Sequence, residues 1–340
     1  MSGIFFRRGA LVLAILGSLV VALLASVSSV AASSAKGSDN GGRFAYSGTL
    51  ECPSPPANWD PTAATTDQLH FYGLPLPHAN SGSDYLMWLN RMRHITRRIC
   101  GGEVVGKSNS HLSQNRTSGD TVGSNGEYWS GYVVPNSGFN YVSGDWDVPC
   151  YSGTNNSQRA IEWVGIGGVG GDNLWQAGTE SDHAEGYRFW YEDYPTGPNM
   201  IYAGPTVGCN QAVNVEVDYN YNVGGKAYMW MYNYYNGQYY SATKSFVPDR
   251  STAEWIVERP GCSNTPPKNW ALAPIGTVHW SAAYAASTSY DNDIVHDLAY
   301  FSGYYPQDMY QNSVLLSNNS GVSGGEYFDT YYKNSGVSYC

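Results

Sequence analysis

Hydrophobic and polar positions alternate strictly over Val213-Asn214-Val215-Glu216-Val217-Asp218-Tyr219-Asn220-Tyr221, the period-two signature of a strand with one apolar and one polar face. Val223 to Lys226 reads as a hairpin turn into a returning strand over Tyr228 to Tyr234, and Asn236-Gly237 turns the chain again into Tyr239 to Phe246. From Glu127 onward short strands and close turns recur with almost no helical period, which predicts an all-β, antiparallel β-sandwich. The N-terminal third reads differently. Tyr85, Leu86, Leu89, Met92 and Ile95 recur at helical spacing and predict one amphipathic helix from about Asp84 to Ile99, to which Arg91, Arg93, Arg97 and Arg98 add positive charge.

The pattern also divides the chain. Arg7 and Arg8, the apolar run from Ala10 to Ala25 and the small-residue site Val30-Ala31-Ala32 make residues 1–32 a secretory signal. Leu11 to Val30 is just long enough to anchor in a membrane, but Gly17, Ser18 and the serines from Ser26 to Ser29 dilute it and favour cleavage. The expectation is a secreted, extracellular monomer with no membrane contact once the signal is gone. A Pro-rich lead around Cys52-Pro53-Ser54-Pro55-Pro56, the basic helix and a Ser/Gly/Asn-rich linker from Gly101 to Gly126 mark residues 33–126 as a prosegment and linker, leaving 127–340 as the β-sandwich domain.

Charge sharpens this division. Charged residues are 14% of the chain, against ~25% in an ordinary soluble domain. Residues 126–340 hold 8 Lys and Arg against 21 Asp and Glu, whereas residues 33–125 hold 8 against 7. A small basic segment joined to a large acidic domain suggests an intramolecular inhibitor held partly by charge, as in a zymogen. Few surface ion pairs leave little to lose when carboxylates protonate, so the composition suits work in acid. Nucleic acid is excluded as a partner because the phosphate-neutralising cations are missing. Six cysteines without a Cys-x-x-Cys pair fit disulfides in an exported chain better than a zinc site. The tidiest pairing joins Cys52 to Cys100 and closes two bridges among Cys150, Cys209, Cys262 and Cys340, although spacing does not fix connectivity.

Two segments carry candidate chemistry. Leu174-Trp175-Gln176-Ala177-Gly178 and Ala253-Glu254-Trp255-Ile256-Val257-Glu258 both read as short strands, and each sets one polar side chain, Gln176 or Glu258, on a face rich in aromatics. An amide donor and a carboxylate base can activate a water and hold the oxyanion formed when it attacks a carbonyl, with no covalent intermediate. A glutamate of ordinary pKa ~4.3 is still partly ionised in mild acid, and the acid formed can protonate the leaving nitrogen. Alternation puts Glu254, Ile256 and Glu258 on one face, so Glu254 is a neighbour able to raise the pKa of Glu258.

The order Trp129-Ser130-Gly131-Tyr132, Trp163-Val164-Gly165-Ile166-Gly167-Gly168, Leu174 to Gly178, Trp190-Tyr191-Glu192-Asp193-Tyr194-Pro195 and Ala253 to Glu258, continued by Leu272 to Val278, resembles the glutamic peptidase (eqolisin) family over about Tyr128 to Tyr332. The resemblance implies a jelly-roll-like, concanavalin-type sandwich and a secreted precursor of an acid-acting endopeptidase that cleaves polypeptide substrates without metal or other cofactor. It places the catalytic residues on Gln176 and Glu258, and groove residues on Trp129, Trp163, Glu180 and Glu192; strand alternation adds Glu254 as a further substrate-side candidate beside Glu258. Gly167 departs from the family's usual Asp, which bears on the pH optimum.

Two rival readings come from other residues. Glu180-Ser181-Asp182-His183-Ala184-Glu185 resembles the acid signature of β-sandwich glycoside hydrolases. The 29 tyrosines and 11 tryptophans would also suit a non-catalytic carbohydrate-binding module. Gly321-Val322-Ser323-Gly324-Gly325 matches Gly-x-Ser-x-Gly but lies in a loop-like stretch and reads as a turn. His183, His279 and His296 lack ligand spacing, and Asp291, Asp293 and Asp297 lack the Gly and Glu of a calcium loop, so no metal is expected.

Overall fold

The computed structural model describes residues 50–78, 82–105, 126–169, 173–197, 199–264 and 267–340. The proposed signal, residues 1–32, and most of the linker lie outside the described residues.

Two sheets make the body. The first runs, in spatial order, β1 (Leu50–Glu51), β2 (Arg97–Cys100), β12 (Gln238–Lys244), β11 (Ala227–Asn233), β10 (Ala212–Tyr219), β5 (Phe139–Asp147), β17 (Thr277–Ser287), β22 (Phe328–Tyr332), β21 (Val314–Asn319) and β20 (Met309–Gln311), with β18 (His296–Asp297) beside β17. The second runs β19 (Tyr305–Gln307), β4 (Trp129–Pro135), β13 (Thr252–Glu258), β6 (Gln158–Ile166), β7 (Leu174–Asp182), β8 (Gly186–Tyr194), β9 (Ile201–Tyr202) and β3 (Val104–Val105), with β16 (Ala271–Leu272) beside β6. A small hairpin, β14 (Gly261–Asn264) with β15 (Pro267–Asn269), stands apart. Pairing is antiparallel except β2 on β12 and β16 on β6. Val142, Trp146, Val164, Trp175, Val215, Met229, Trp255 and their neighbours fill the space between the sheets, so the predicted antiparallel sandwich is what forms.

Three disulfides, Cys52–Cys100, Cys150–Cys209 and Cys262–Cys340, follow the expected division between the N-terminal segment and the rest. Two helices form in the N-terminal segment. α1 (Thr66–Tyr72) opens on a Thr65–Gln68 capping box and closes on Gly73 in the left-handed conformation. α2 (Ser83–His94) is the predicted amphipathic helix, ending five residues earlier than expected because Ile95 turns extended and Arg97 to Cys100 enter the first sheet as β2.

The strand with the clearest alternation carries a correction. In β10 the apolar Val213, Val215 and Val217 face the core as expected, yet Asn214, Glu216 and Asp218 are buried too. Their face is covered by the N-terminal segment: Leu69, Leu74, Trp88, Leu89 and Met92 pack on Tyr228, Trp230, Tyr232 and Tyr239 of the first sheet.

Candidate active site

All seven residues singled out by sequence, Gln176, Glu258, Trp129, Trp163, Glu180, Glu192 and Glu254, stand on one face of the second sheet. The registers align them in rows across the strands. One row reads Val133, Glu254, Gly165, Gln176, Glu192 from β4 through β13, β6 and β7 to β8. Two residues along, the next reads Gly131, Ile256, Trp163, Gly178, Trp190, and the third reads Trp129, Glu258, Ile161, Glu180, Arg188. Alternation sends Trp175, Ala177 and Thr179 into the sandwich and therefore turns Gln176, Gly178 and Glu180 away from it. The face has its own apolar cluster, Trp129, Val133, Ile161, Trp163, Leu174, Trp190, Met200, Tyr202 and Ile256, drawn from the second sheet and its flanks. Gln176, Glu180, Glu192, Glu254 and Glu258 are all fully buried.

Trp163 ties the rows together. Its Nε1 donates to Glu258 Oε2 at 2.9 Å, and its ring meets Trp129 edge-on with centroids 5.0 Å apart. A Cβ placed on Gly165 would lie 2.8 Å from Trp163 Cζ3, so the same indole also lies over the glycine beside Gln176. Gln176 Nε2 donates to Glu192 Oε2 at 2.9 Å. In this bond the amide nitrogen donates and the carboxylate oxygen accepts.

Register alone does not bring Gln176 against Glu258. They stand two strands apart and four residues out of step, about 10 Å across and about 14 Å along on a flat sheet, whereas Glu254 shares the level of Gln176 across Gly165. The indole of Trp163 fills the interval, from the Glu258 carboxylate at one end to Gly165 at the other.

Glu180 is committed to arginines. Arg159 Nη1 lies 3.0 Å and Arg188 Nη2 2.7 Å from its two oxygens, Arg159 also pairs with Asp182 at 3.4 Å, and Arg188 with Glu185 at 3.3 Å. The guanidinium of Arg188 lies 3.7 Å over the Tyr202 ring and that of Arg159 4.6 Å over Trp270. The three acids that suggested a glycoside hydrolase are thus an ion-pair cluster at one end of the face. Sequence reasoning missed both arginines, although Arg188 stands directly opposite Glu180 in the pairing.

It also missed Glu162, which lies behind the face. Between Ile161 and Trp163 its side chain points into the sandwich, where Thr179 Oγ1 donates to its Oε2 at 2.7 Å and receives a bond from Trp146 Nε1 at 2.9 Å. Burial pushes its carboxyl up to about 8. The visible signal was an acid on the core-facing phase of a strand.

A cavity of about 700 Å³ opens elsewhere, on the outer side of the first sheet, with Met87 and Asn90 of α2, Asp145, Tyr234, His279 and Asp329 in its walls. It shares no residue with the face that carries Gln176 and Glu258. There His279 Nδ1 lies 2.7 Å from Asp329 Oδ1. Asp297 caps a short helical turn through Tyr300 N, Asp293 accepts from Asn140, and Ser323 pairs with Tyr327 in the expected turn.

Comparison with known proteins bears on the fold and the family. Scytalido-glutamic peptidase bound to a peptide-based transition-state analogue superposes with a TM-score of 0.52 at 21% identity, over 61% of this chain and 98% of that one. Its complex with a transition-state analogue inhibitor gives 0.52 at 22%, and SCP-B, an eqolisin holding the tripeptide Ala-Ile-His, 0.50 at 20%, with the same coverage. At these identities the likeness shows the shared fold. No curated protein matches. The model of the peptidase A4 family, however, matches residues 127–324, more than half of the chain and the whole span that holds the three rows. The chain therefore belongs to the peptidase A4 family, the glutamic peptidases, and is a hydrolase of peptide bonds.

Proposed function

We propose that the chain is the secreted precursor of an acid-acting endopeptidase, in which Glu258 and Gln176 activate a water on the outer face of the second sheet. The observation that carries the reading is that Trp163, hydrogen-bonded to Glu258, lies over Gly165, the strand neighbour of Gln176. Glu258, whose Oε2 is held by Trp163, takes the proton as the water attacks the scissile carbonyl and passes it to the leaving nitrogen. Gln176, oriented by Glu192, donates an N–H to the oxyanion, a contribution of roughly 3 kcal/mol for this kind of donor. Trp129, Trp163 and Trp190 supply apolar walls for an extended polypeptide. The family match and the sandwich support peptide hydrolysis, and the disulfides support export.

The burial of Gln176 and Glu258 supports reading the chain as a latent precursor. The described residues of 50–105 do not plug the face. They lie on the first sheet and, through β3, at the far edge of the second.

Denatured casein, incubated at acid and neutral pH with pepstatin and a chelator present, tests the reading. Glu258→Gln and Gln176→Ala are expected to abolish acid hydrolysis with unchanged circular dichroism, and full activity in either refutes the dyad. The register supports a second reading, in which Glu254 is the base for Gln176. Glu254→Gln separates the two, since loss of activity there with Glu258→Gln still active would move the role.

A further inference from the structure

The N-terminal segment is built into the body more deeply than a removable inhibitor requires. Leu69, Leu74, Trp88, Leu89 and Met92 share one apolar cluster with Tyr228, Trp230, Tyr232 and Tyr239. Arg91, only 4% exposed, reaches Glu216 Oε1 at 2.8 Å and Asp145 at 3.8 Å. Backbone groups of the segment are consumed by the sheet: Asn222 Oδ1 accepts from Leu76 N at 2.6 Å, while the hydroxyls of Tyr221, Tyr228 and Tyr239 donate to the carbonyls of Pro77, Gly73 and Tyr72. β2 extends the first sheet through β12, and β3 extends the second through β9. Between them the Glu103 carboxylate accepts from Tyr191 of the second sheet and Tyr240 of the first. The one disulfide of the segment, Cys52–Cys100, is internal, so nothing covalent beyond the chain itself ties it to the sandwich.

We infer that residues 50–105 stay bound to the sandwich after any cut between them and residue 126, as a noncovalent brace of the working peptidase rather than a prosegment that departs. Losing them would uncover Trp230, Tyr232 and Tyr239, now fully buried, and would break the Arg91–Glu216 pair. It would also free β9, the neighbour of β8, whose Glu192 holds Gln176.

Acid does not reverse the balance. His78 sits between the rings of Tyr141 and Tyr221 at 3.8 and 3.9 Å, with Arg91 and Asp84 of α2 and Glu216 of β10 around it, and burial, then Arg91, holds its pKa down to about 3. Its protonation opposes docking. Against it stand three carboxyls under the segment: burial raises Glu216 to about 7 and raises Asp145 and Asp218, so each takes up a proton more readily while covered. Docking is therefore favoured by three groups and opposed by one as the pH falls.

The test inserts the recognition sequence of a site-specific protease after Gly123, in the Gln176→Ala background so that self-digestion plays no part. After the cut, size-exclusion chromatography and mass spectrometry at pH 7 and pH 4 follow the fragment that contains Cys52 and Cys100. Co-elution at both pH values, with separation only in denaturant, is the expected result. Loss of the fragment at either pH from a sandwich that stays folded overturns the inference. Arg91→Ala is expected to speed release at least tenfold, and unchanged retention counts against the interface. Where that variant does not fold, Leu89→Ala gives the same readout without stranding Glu216. Because the signal is mass rather than hydrolysis, its failure is distinct from failure of the dyad.

Discussion

Glu162→Gln is expected to flatten the dependence of stability on pH. The carboxyl of Glu162 lies fully buried between the sheets, and its only hydrogen-bond donor among the described residues is Thr179. Burial raises its pKa from 4.5 to about 8. A raised acid means that the fold prefers the protonated form. Its contribution is intact below the unfolded value near 4.5 and is lost as the pH climbs through about 8. That interval corresponds to on the order of 5 kcal/mol, or roughly 10–20 °C in Tm for a domain of this size. Glutamine occupies the same volume, still accepts from Thr179 and does not ionise. Thermal unfolding of both chains from pH 4 to pH 9.5 is the assay, with the difference between them as the readout. Glu216, Asp145 and Asp218 titrate alike in both and cancel. The variant should gain on the parent above pH 7 by most of the stated amount, and parallel Tm curves over the whole range would refute the reasoning.

Three further outcomes follow from the rows. Gly165→Ala places a methyl 2.8 Å from the Trp163 ring and should lower kcat/KM on casein more than tenfold while the circular dichroism stays unchanged. Gly178→Ala meets the backbone oxygen of Glu162 at 1.8 Å, which no side chain can relieve, and should cost about 3 kcal/mol or more in urea unfolding. Arg188→Ala leaves the buried Glu180 with Arg159 alone; since Arg188 is itself 18% exposed, the expected loss is about 2 kcal/mol in the same assay.

How much of this was legible depends on which forces act within one strand. The sandwich, the turns after β10 and β11, and the shared face of Glu254, Ile256 and Glu258 follow from local alternation, which the sequence displays directly. Register is different, because it is fixed between strands distant in sequence. No reading of Leu174 to Gly178 alone shows that Gln176 meets Glu192, or that Arg188 stands opposite Glu180. The polar face of β10 misled for a related reason. Asn214, Glu216 and Asp218 have the pattern of a solvated face, and only the tertiary placement of α2 buries them. The basic helix reads as held partly by charge, but nothing local in the sequence shows that Arg91 does so as a buried partner for Glu216.

That burial changes the physical reason to expect tolerance of acid. Composition pointed to a surface with few ion pairs to lose, an argument from absence. The structure supplies a positive one. Glu162 in the sandwich, Glu216, Asp145 and Asp218 under the N-terminal segment, and Asp182 beside the arginines all have carboxyls raised by desolvation. Each is more easily protonated in the folded chain than in the unfolded one, so each shifts the optimum of stability downward in pH. The ion pairs of Arg91 oppose this, but burial outweighs them at Glu216 and Asp145, whose carboxyls stay above their ordinary values with the guanidinium in place. A molecule with its carboxylates on the surface would merely survive acid. One that buries them, as Glu162, Glu216 and Asp218 are buried here, is favoured by it.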